Sequence, residues 1–179
     1  MVESKPTRPI APNPYDYHPA PATFTLTSAD LADGAQAPLS VVGTDAGGGN
    51  RSPQLSWSGA PAETKSFVVT CFDIDAPTLC GFWHWLVGDI PATVTGLAAN
   101  AAAGELPAGA VQLRNDGGDV GFQGIAPPPG DRAHRYVFAV HALAEEDMEF
   151  EESDPPAYAS YAALDNELAR ATLTVTYQR

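Results

Sequence analysis

The chain has 179 residues, of which 44% are hydrophobic and 17% charged, and its formal net charge is −13. This length fits one domain with a sizeable core, and the composition is that of a globular protein rather than a disordered one. The negative charge argues against nucleic acid or an anionic membrane as a partner, because both attract Lys and Arg. The acidic surface by itself indicates solubility more than a specific function.

The cysteines and the N-terminal sequence indicate the cellular compartment in which the protein is expected. Cys71 lies in an apolar run, where a free thiol behaves as a small hydrophobe, and Cys80 lies in a turn. Two cysteines in a chain of this size do not make a disulfide framework, although a Cys71–Cys80 bridge stays open. We find no signal-peptide pattern and no apolar run as long as a membrane span. We therefore expect a cytoplasmic protein without stable membrane insertion.

Residues 1–22 form a proline-rich N-terminal arm, with Tyr15, Tyr17 and His18 between the prolines. Proline lacks an amide donor and fixes φ, so this arm is not expected inside a sheet or in a helix. Two interpretations stay open. The arm is either a disordered tail, or an extended segment that lies on its own domain or on a neighbouring subunit with its tyrosines as anchors.

The remaining chain, residues 23–179, is predicted to form a single domain that is mostly β. Many short strands and one clear helix are typical of two packed sheets. Three nearly continuous apolar runs predict strands that are buried on both faces. The predicted strands cover residues 24–27, 39–42, 54–58, 66–73, 83–90, 136–143 and 171–177.

One amphipathic helix is predicted over residues 157–170, where Tyr161, Leu164 and Leu168 recur at helical spacing. The glycine-rich segment 45–52 lacks the P-loop pattern and predicts a flexible loop. Residues 92–110 give little structural signal. These assignments add one helix to the predicted sheets and no second domain.

Polar residues occur where the apolar runs begin or end, and the alternation of side chains along a strand predicts their orientation. Asp73 closes one run on the same face as Cys71, so its carboxylate lies over an apolar wall. His84 falls on the opposite face from Trp83 and Trp85. Taken alone, each of these polar residues is more typical of a structural residue, with its hydrogen bonds made inside the protein, than of a residue that contacts a ligand.

Burial of an unpaired charge is costly, so Asp73 is expected to accept a hydrogen bond from a histidine. The candidates are His84 and His134, which opens the last apolar run ahead of Tyr136. We expect the second nitrogen of that histidine to face a cavity. A histidine that its carboxylate keeps protonated would present a donor to an anion.

The turn between Gly124 and Gly130 is predicted to complete this pocket. Successive backbone amides in a turn form an anion-binding concavity, and Gly124 permits close approach of the backbone. Pro127, Pro128 and Pro129 stiffen the rim. The sequence therefore predicts a pocket for a small anion, such as phosphate or a phosphorylated head group.

Several sequence blocks match a known family in order and spacing. DIDAP at 73–77 is followed by His84-Trp85, and GFQGIAPPPG at 121–130 is followed by His134-Arg135-Tyr136. Shorter matches lie at 52–57 and 114–118. Over about residues 23–179 the chain resembles the phosphatidylethanolamine-binding proteins, most closely their bacterial Raf-kinase-inhibitor-like branch. It departs from the family pattern at Ile74, Phe122, Ile125 and Asn166. These departures bear on the width of the pocket and on which ligand it prefers, rather than on the fold.

This resemblance implies a two-sheet Greek-key β-sandwich with one or two peripheral helices. It implies a pocket that binds phosphate, acetate or phosphoethanolamine-like groups. The residues predicted to bind the ligand are Asp73, His84, Gly124, His134 and Tyr136. A supporting shell is predicted from Asp75, Pro77, Phe82, Pro127 and Pro128. Arg135 lies on the opposite strand face from His134 and is predicted to be structural.

Three functions are compatible with these residues. The favoured one is a non-catalytic binding or regulatory protein, which the family resemblance extends to inhibition of a kinase or a protease whose identity stays unknown. A weak hydrolase with an Asp/His pair is the alternative, although no G-x-S-x-G elbow occurs. A metal site has a suitable ligand set but no characteristic spacing. We expect no cofactor and no metal, and we leave a homodimer open.

Overall fold

The computed structural model describes residues 8–179, so the first part of the predicted arm, residues 1–7, lies outside the described residues. Most of the regular structure is β. One α-helix and four single turns of 3-10 helix complete the described part, and none of these helices has the length and apolarity to cross a membrane. The strands are β1 (Thr25–Thr27), β2 (Leu55–Ser58), β3 (Ser66–Asp73), β4 (Phe82–Pro91), β5 (Gly96–Leu97), β6 (Val111–Gln112), β7 (His134–Leu143) and β8 (Glu167–Tyr177), and the helix is α1 (Pro156–Asp165).

The strands form two antiparallel sheets, a five-stranded one in the order β6-β4-β3-β7-β8 and a three-stranded one in the order β1-β2-β5. The central strand β3 pairs with β4 on one side and β7 on the other, and all of its residues are buried. The apolar run in the sequence predicted this position. The mostly β, two-sheet fold class is therefore confirmed.

The main core lies between the two sheets. Val69 and Cys71 of β3 pack there with Trp57 of the smaller sheet. Val68 points to the other face of the large sheet, where a second apolar cluster includes Ala163 of α1. Because side chains alternate along β3, Asp73 continues the face of Val69 and Cys71 and lies at the end of the main core.

Two sequence-based assignments are wrong. The strand predicted over 39–42 is a 3-10 turn over Leu39–Val41, in which Val41 and the following Val42 are both fully buried. The helix predicted over 157–170 ends at Asp165, and Tyr161 is exposed. After that point hydrogen bonds between β8 and β7 replace helical ones, since tertiary pairing overrides a local periodicity.

The helix therefore buries a different face from the one that the spacing of large residues predicted. Its buried residues are Ala159, Ala162 and Ala163. Small side chains allow the helix backbone to lie close to the sheet. The tyrosines at 158 and 161 point to the solvent.

From residue 8 onwards the N-terminal arm lies against its own domain. Tyr15 packs with Ala11 against an apolar cluster that contains Ile74 and Val137. Arg135 Nη2 donates a hydrogen bond to the carbonyl of Ala11 over 2.6 Å. The arm is thus fixed by side chains of the segments that flank the predicted pocket.

A buried ionic cluster holds the end of the arm. Glu167 accepts hydrogen bonds from His141 Nδ1 over 2.6 Å and from Arg170 Nε over 2.8 Å. Arg170 also donates to the carbonyl of His18 and lies 4.9 Å from the ring centroid of Tyr15. The partner of His141 lies on the neighbouring strand β8 rather than nearby in the sequence.

Candidate functional site

Four polar or aromatic side chains meet where β3, β4 and β7 come together. Asp73 is the last residue of β3, and its neighbours in register are Tyr136 on β7 and Phe82 on β4. His134 begins β7, two residues before Tyr136 on the same face. Asp73, His84, His134 and Tyr136 are at most 5% exposed. Strand pairing therefore brings together residues that are far apart in the sequence.

His84 reaches this site through a β-bulge. Cys71 pairs with Trp85, but the next residue of β3, Phe72, pairs with Trp83, so His84 is an extra residue in β4. A bulge changes the direction of the side chains that follow it. Trp85 lies in the main core, whereas Trp83 packs in the clusters on the other side of the sheet. The prediction that both tryptophans share one face is therefore wrong.

Asp73 and His134 form the expected carboxylate–imidazole pair. His134 Nδ1 lies 2.8 Å from Asp73 Oδ2. The other carboxylate oxygen of Asp73 accepts a hydrogen bond from the amide of Asp75, which fixes the turn after β3. Burial opposes protonation of His134, but its hydrogen bonds to Asp73 and Asp131 outweigh burial and raise its pKa above the ordinary value.

The second nitrogen of His134 does not face an open cavity, which corrects the sequence-based expectation. Its Nε2 atom lies 3.3 Å from Oδ2 of Asp131. Asp131 also forms an ion pair with Arg8 of the arm. Burial acts against the Asp131 carboxylate, but hydrogen bonds from His134 and Arg8 lower its pKa to about 2. Both nitrogens of His134 therefore contact carboxylates.

His84 differs from His134 in its charge. Its Nδ1 donates to the carbonyl oxygen of Gln123 over 2.7 Å, because a carbonyl can only accept. The centroid of its ring lies 4.8 Å from the ring centroid of Phe82 and 5.4 Å from that of Tyr136. Burial lowers the pKa of His84, even though the hydrogen bond to Gln123 acts in the opposite direction. The site thus combines a neutral His84 with a His134 that holds its proton more firmly.

The hydroxyl of Tyr136 is buried and has no partner within hydrogen-bond distance among residues 8–179, although Asp73, its neighbour in register on β3, is close enough to act on its pKa. Its ring stacks on that of His134, with 6.3 Å between the centroids, and meets the ring of His84 edge-on. Burial, followed by the negative charge of Asp73, raises the pKa of this phenol. Tyr136 therefore keeps its proton and offers a buried O–H donor.

Several backbone amides of the turn after β6 already have hydrogen-bond partners within the chain. The amide of Gly124 donates to Oδ1 of Asn50 over 2.7 Å, and the amide of Gln123 donates to the carbonyl of His84. The amide of Gly130 donates to the carbonyl of Arg179. The amides of Gly124 and Gly130 are therefore not free donors for an anion, since buried backbone groups find partners within the chain.

The position of Gly124 has no room for a side chain. A Cβ atom at this position would lie 2.6 Å from the backbone of Gly43 and 2.6 Å from Asn50 Oδ1. The residues predicted to support the pocket differ in exposure. Pro127 is buried, Phe82 and Pro128 are half-buried, and Pro77 is exposed.

Asp75 supports the site through two arginines. Its carboxylate accepts from Arg135 Nε over 2.7 Å and from Arg132 Nη2 over 2.8 Å, and it also accepts from the backbone amide of Arg135. Burial disfavours this charge, but the arginine hydrogen bonds lower the pKa of Asp75 to about 2. Arg132 also donates to the carbonyls of Arg8 and Pro9. One ionic network thus joins the site to the arm.

Sequence reasoning missed Asp131, Arg132 and Arg8 as part of this site. The signal for Arg132 was available, because a buried carboxylate at Asp75 needs a cation and Arg132 lies within the matched block. Arg8 carried no such signal, since its contact spans most of the chain.

A cavity of about 660 Å³ lies beside the site. It shares Gln123 and Gly124 with the turn, but Asp73, His84 and His134 do not line it.

Across residues 8–179, no cluster of three or more His, Cys, Asp or Glu side chains is arranged to hold a metal ion. Both cysteines are free, Cys71 buried and Cys80 exposed.

Two proteins of Escherichia coli are similar in sequence to this chain over most of its length. The chain is 46% identical over 162 residues to the UPF0098 protein YbcL of Escherichia coli, with 88% of each protein covered. It is 42% identical over 156 residues to the UPF0098 protein YbhB of the same organism, covering 85% of this chain and 98% of YbhB.

Solved structures show the same fold. The crystal structure of Escherichia coli YbcL, described as a new member of the mammalian PEBP family, matches with a TM-score of 0.85 at 45% identity and covers 88% of this chain and 99% of that one. A PEBP homolog from Chlamydia trachomatis matches with a TM-score of 0.74 at 30% identity, over 88% of this chain and 98% of the other. The family model described as phosphatidylethanolamine-binding protein matches residues 27–178. The chain therefore belongs to the phosphatidylethanolamine-binding protein family.

Proposed function

We propose that this protein is a non-catalytic binding protein that takes a small anion at the site formed by Asp73, His84, His134 and Tyr136. The observation that carries the proposal is the buried hydroxyl of Tyr136, which has no hydrogen-bond partner among the described residues. A buried polar group without a partner costs about 1–3 kcal/mol. A ligand oxygen that accepts from this hydroxyl would recover that cost.

The charges around the hydroxyl support an anionic ligand. The contact with Asp73 raises the pKa of His134 and favours its protonated form, and the ring of His134 is stacked on the Tyr136 ring. Charge-assisted hydrogen bonds from an imidazolium are stronger than neutral ones. A small anion that accepts from both Tyr136 and His134 would have two donors in a site that is largely closed to water. Phosphate, phosphoethanolamine and acetate all have acceptor oxygens of suitable size.

The chemistry of hydrolysis is less well supported. The Asp73–His134 pair has the geometry of an acid–base pair, with 2.8 Å between the two atoms. Within residues 8–179, however, no serine or cysteine is hydrogen-bonded to His84 or His134. Burial raises the pKa of the Cys71 thiol well above its ordinary value, so the reactive thiolate is disfavoured. Esterase or phosphatase turnover that is lost in His134→Gln would favour the weak hydrolase instead.

Partner and location stay predictions. Inhibition of a kinase or a protease rests on what is implied by the family, and the cytoplasmic location and the homodimer rest on the sequence alone. The anion site is the part of the function that named contacts support.

The direct test is a calorimetric titration with acetate, phosphate and phosphoethanolamine on wild type, His134→Gln and Tyr136→Phe. We expect binding in wild type and loss of binding in His134→Gln. His18→Gln is the matched control, because the His18 side chain is exposed on the arm. Acetate is the most informative probe, because it stays ionised from about pH 6 to pH 8, well above the pKa of a carboxylate. Binding of equal strength in wild type and His134→Gln would refute the proposal.

A further inference from the structure

The anion site already contains a carboxylate of its own chain in a position where a ligand would lie. Oδ2 of Asp131 is 3.3 Å from Nε2 of His134, on the side of the ring that Asp73 does not occupy. An external anion that accepts a hydrogen bond from Nε2 must therefore replace Asp131. The contact is made by a side chain only three residues away along the chain.

Asp131 is held more loosely than Asp73. The Asp131 side chain is 26% exposed, whereas that of Asp73 is 5% exposed. Asp73 belongs to the central strand, but Asp131 follows Gly130, which has a φ of 77° in the turn before β7. The remaining contacts of its carboxylate are the backbone amide of Arg132 and the side chain of Arg8. Its backbone is anchored separately, because its amide donates to the carbonyl of Pro128 and its carbonyl accepts from Gln178 Nε2. A carboxylate on a solvent-accessible turn can move away without breaking a strand.

The arm provides the cation that keeps Asp131 in place. Arg8 forms an ion pair with Asp131 and donates to the carbonyl of Asp75 over 2.9 Å. Arg132 in turn donates to the carbonyls of Arg8 and Pro9 while it pairs with Asp75. The arm is therefore fastened at the place where Asp131 meets His134.

We propose that the Asp131 carboxylate is an internal ligand of the anion site, held against His134 by Arg8 of the arm, and that an external anion binds by displacing it. This inference rests on the proposed function. It makes the affinity for anions depend on the fraction of molecules in which Asp131 has moved away. Arg8 acts as a positioning residue, because it reaches His134 only through Asp131.

The test measures acetate affinity by calorimetry near pH 6, where His134 stays protonated through its contact with Asp73. Asp131→Asn removes the charge of the internal ligand and keeps its shape. If Asp131 covers the site in about nine molecules of ten, this variant binds acetate roughly tenfold more tightly than wild type. Asp165→Asn is the matched control, because it changes the net charge equally at an exposed position of α1.

Arg8→Ala separates the two roles that Arg8 could have. A residue that only holds Asp131 in place releases it when removed, so acetate binds more tightly in Arg8→Ala. A residue that itself binds the anion weakens the affinity when removed, and that result would overturn the role of the arm. Arg51→Ala at an exposed position controls for the loss of one positive charge.

A double variant distinguishes failure of this inference from failure of the proposed function. Tighter binding in Asp131→Asn that disappears in Asp131→Asn/His134→Gln supports both. Equal affinity in wild type and Asp131→Asn, with loss in His134→Gln, overturns the internal ligand and leaves the anion site standing. Absence of acetate, phosphate and phosphoethanolamine binding in every variant overturns both.

Discussion

Arg135 Nε lies 2.7 Å from Oδ2 of Asp75, and the same guanidinium donates to the carbonyl of Ala11 in the arm. One side chain therefore neutralises a buried carboxylate and fastens the arm. This coupling links the stability of the site to the order of the N-terminal segment.

Replacement of Arg135 by alanine should lower the free energy of unfolding by about 2 kcal/mol, less than for a fully unpaired buried charge because Arg132 still pairs with Asp75. Urea unfolding measures the loss. The arm should also become more accessible to a protease, since Ala11 loses its partner. An effect no larger than that of Arg51→Ala would mean that the Asp75 network does not stabilise the fold.

Acid should weaken the domain through Asp75. The pKa of this carboxyl is about 2 in the folded protein and about 4 in an unfolded chain, so the unfolded state binds the proton first as the pH falls. The stabilisation is complete above about pH 5 and is lost as the pH falls toward 2. The stability difference between wild type and Asp75→Asn should therefore shrink over this range. A difference that does not depend on pH would contradict the assignment.

The two site histidines should affect stability with opposite pH dependence. The pKa of His134 is raised, so its contribution is present below the unfolded value of about 6.5 and is lost as the pH rises through the folded value. The pKa of His84 is lowered, so its contribution is present above about 6.5 and is lost as the pH falls. Chemical shifts of the two rings in a pH titration measure both directions. Two rings that titrate together would contradict the distinct environments described here.

Tyr136→Phe should separate stability from binding. Within residues 8–179 the hydroxyl has no hydrogen-bond partner, so its removal should leave the free energy of unfolding unchanged or raise it by up to about 1 kcal/mol. The same variant should lose roughly tenfold in anion affinity, because one donor to the ligand is gone. Tyr158→Phe on the exposed face of α1 provides the control for both measurements. A large loss of stability in Tyr136→Phe would show that the hydroxyl has a structural partner.

The parts of the site that could be predicted from the sequence follow from local patterns. The continuous apolar run of β3 fixes a central strand, and the cost of a buried charge requires a partner for Asp73. Both arguments need only a few neighbouring residues. They predict that Asp73 pairs with a histidine, and the structure shows that this histidine is His134 rather than His84.

The parts that could not be predicted depend on contacts between distant segments. The bulge at His84 arises from the pairing of β4 with β3, and no local sequence pattern in β4 predicts it. The ion pair of Arg8 with Asp131 joins the arm to the turn before β7. The end of α1 is set by the pairing of β8 with β7 rather than by the periodicity of the segment.

The extra residue in β4 has a consequence for how the site tolerates changes of length. Without the bulge, regular alternation would carry Trp83 from the outer face of the sheet to the inner one, since a slip of one residue exchanges the two faces. Deletion of His84, by contrast, would remove the extra residue together with the imidazole, so Trp83 would alternate regularly with Trp85 and keep its place opposite Phe72 on the outer face. The place of His84 beside Tyr136 in the proposed anion site depends on this one extra residue in β4.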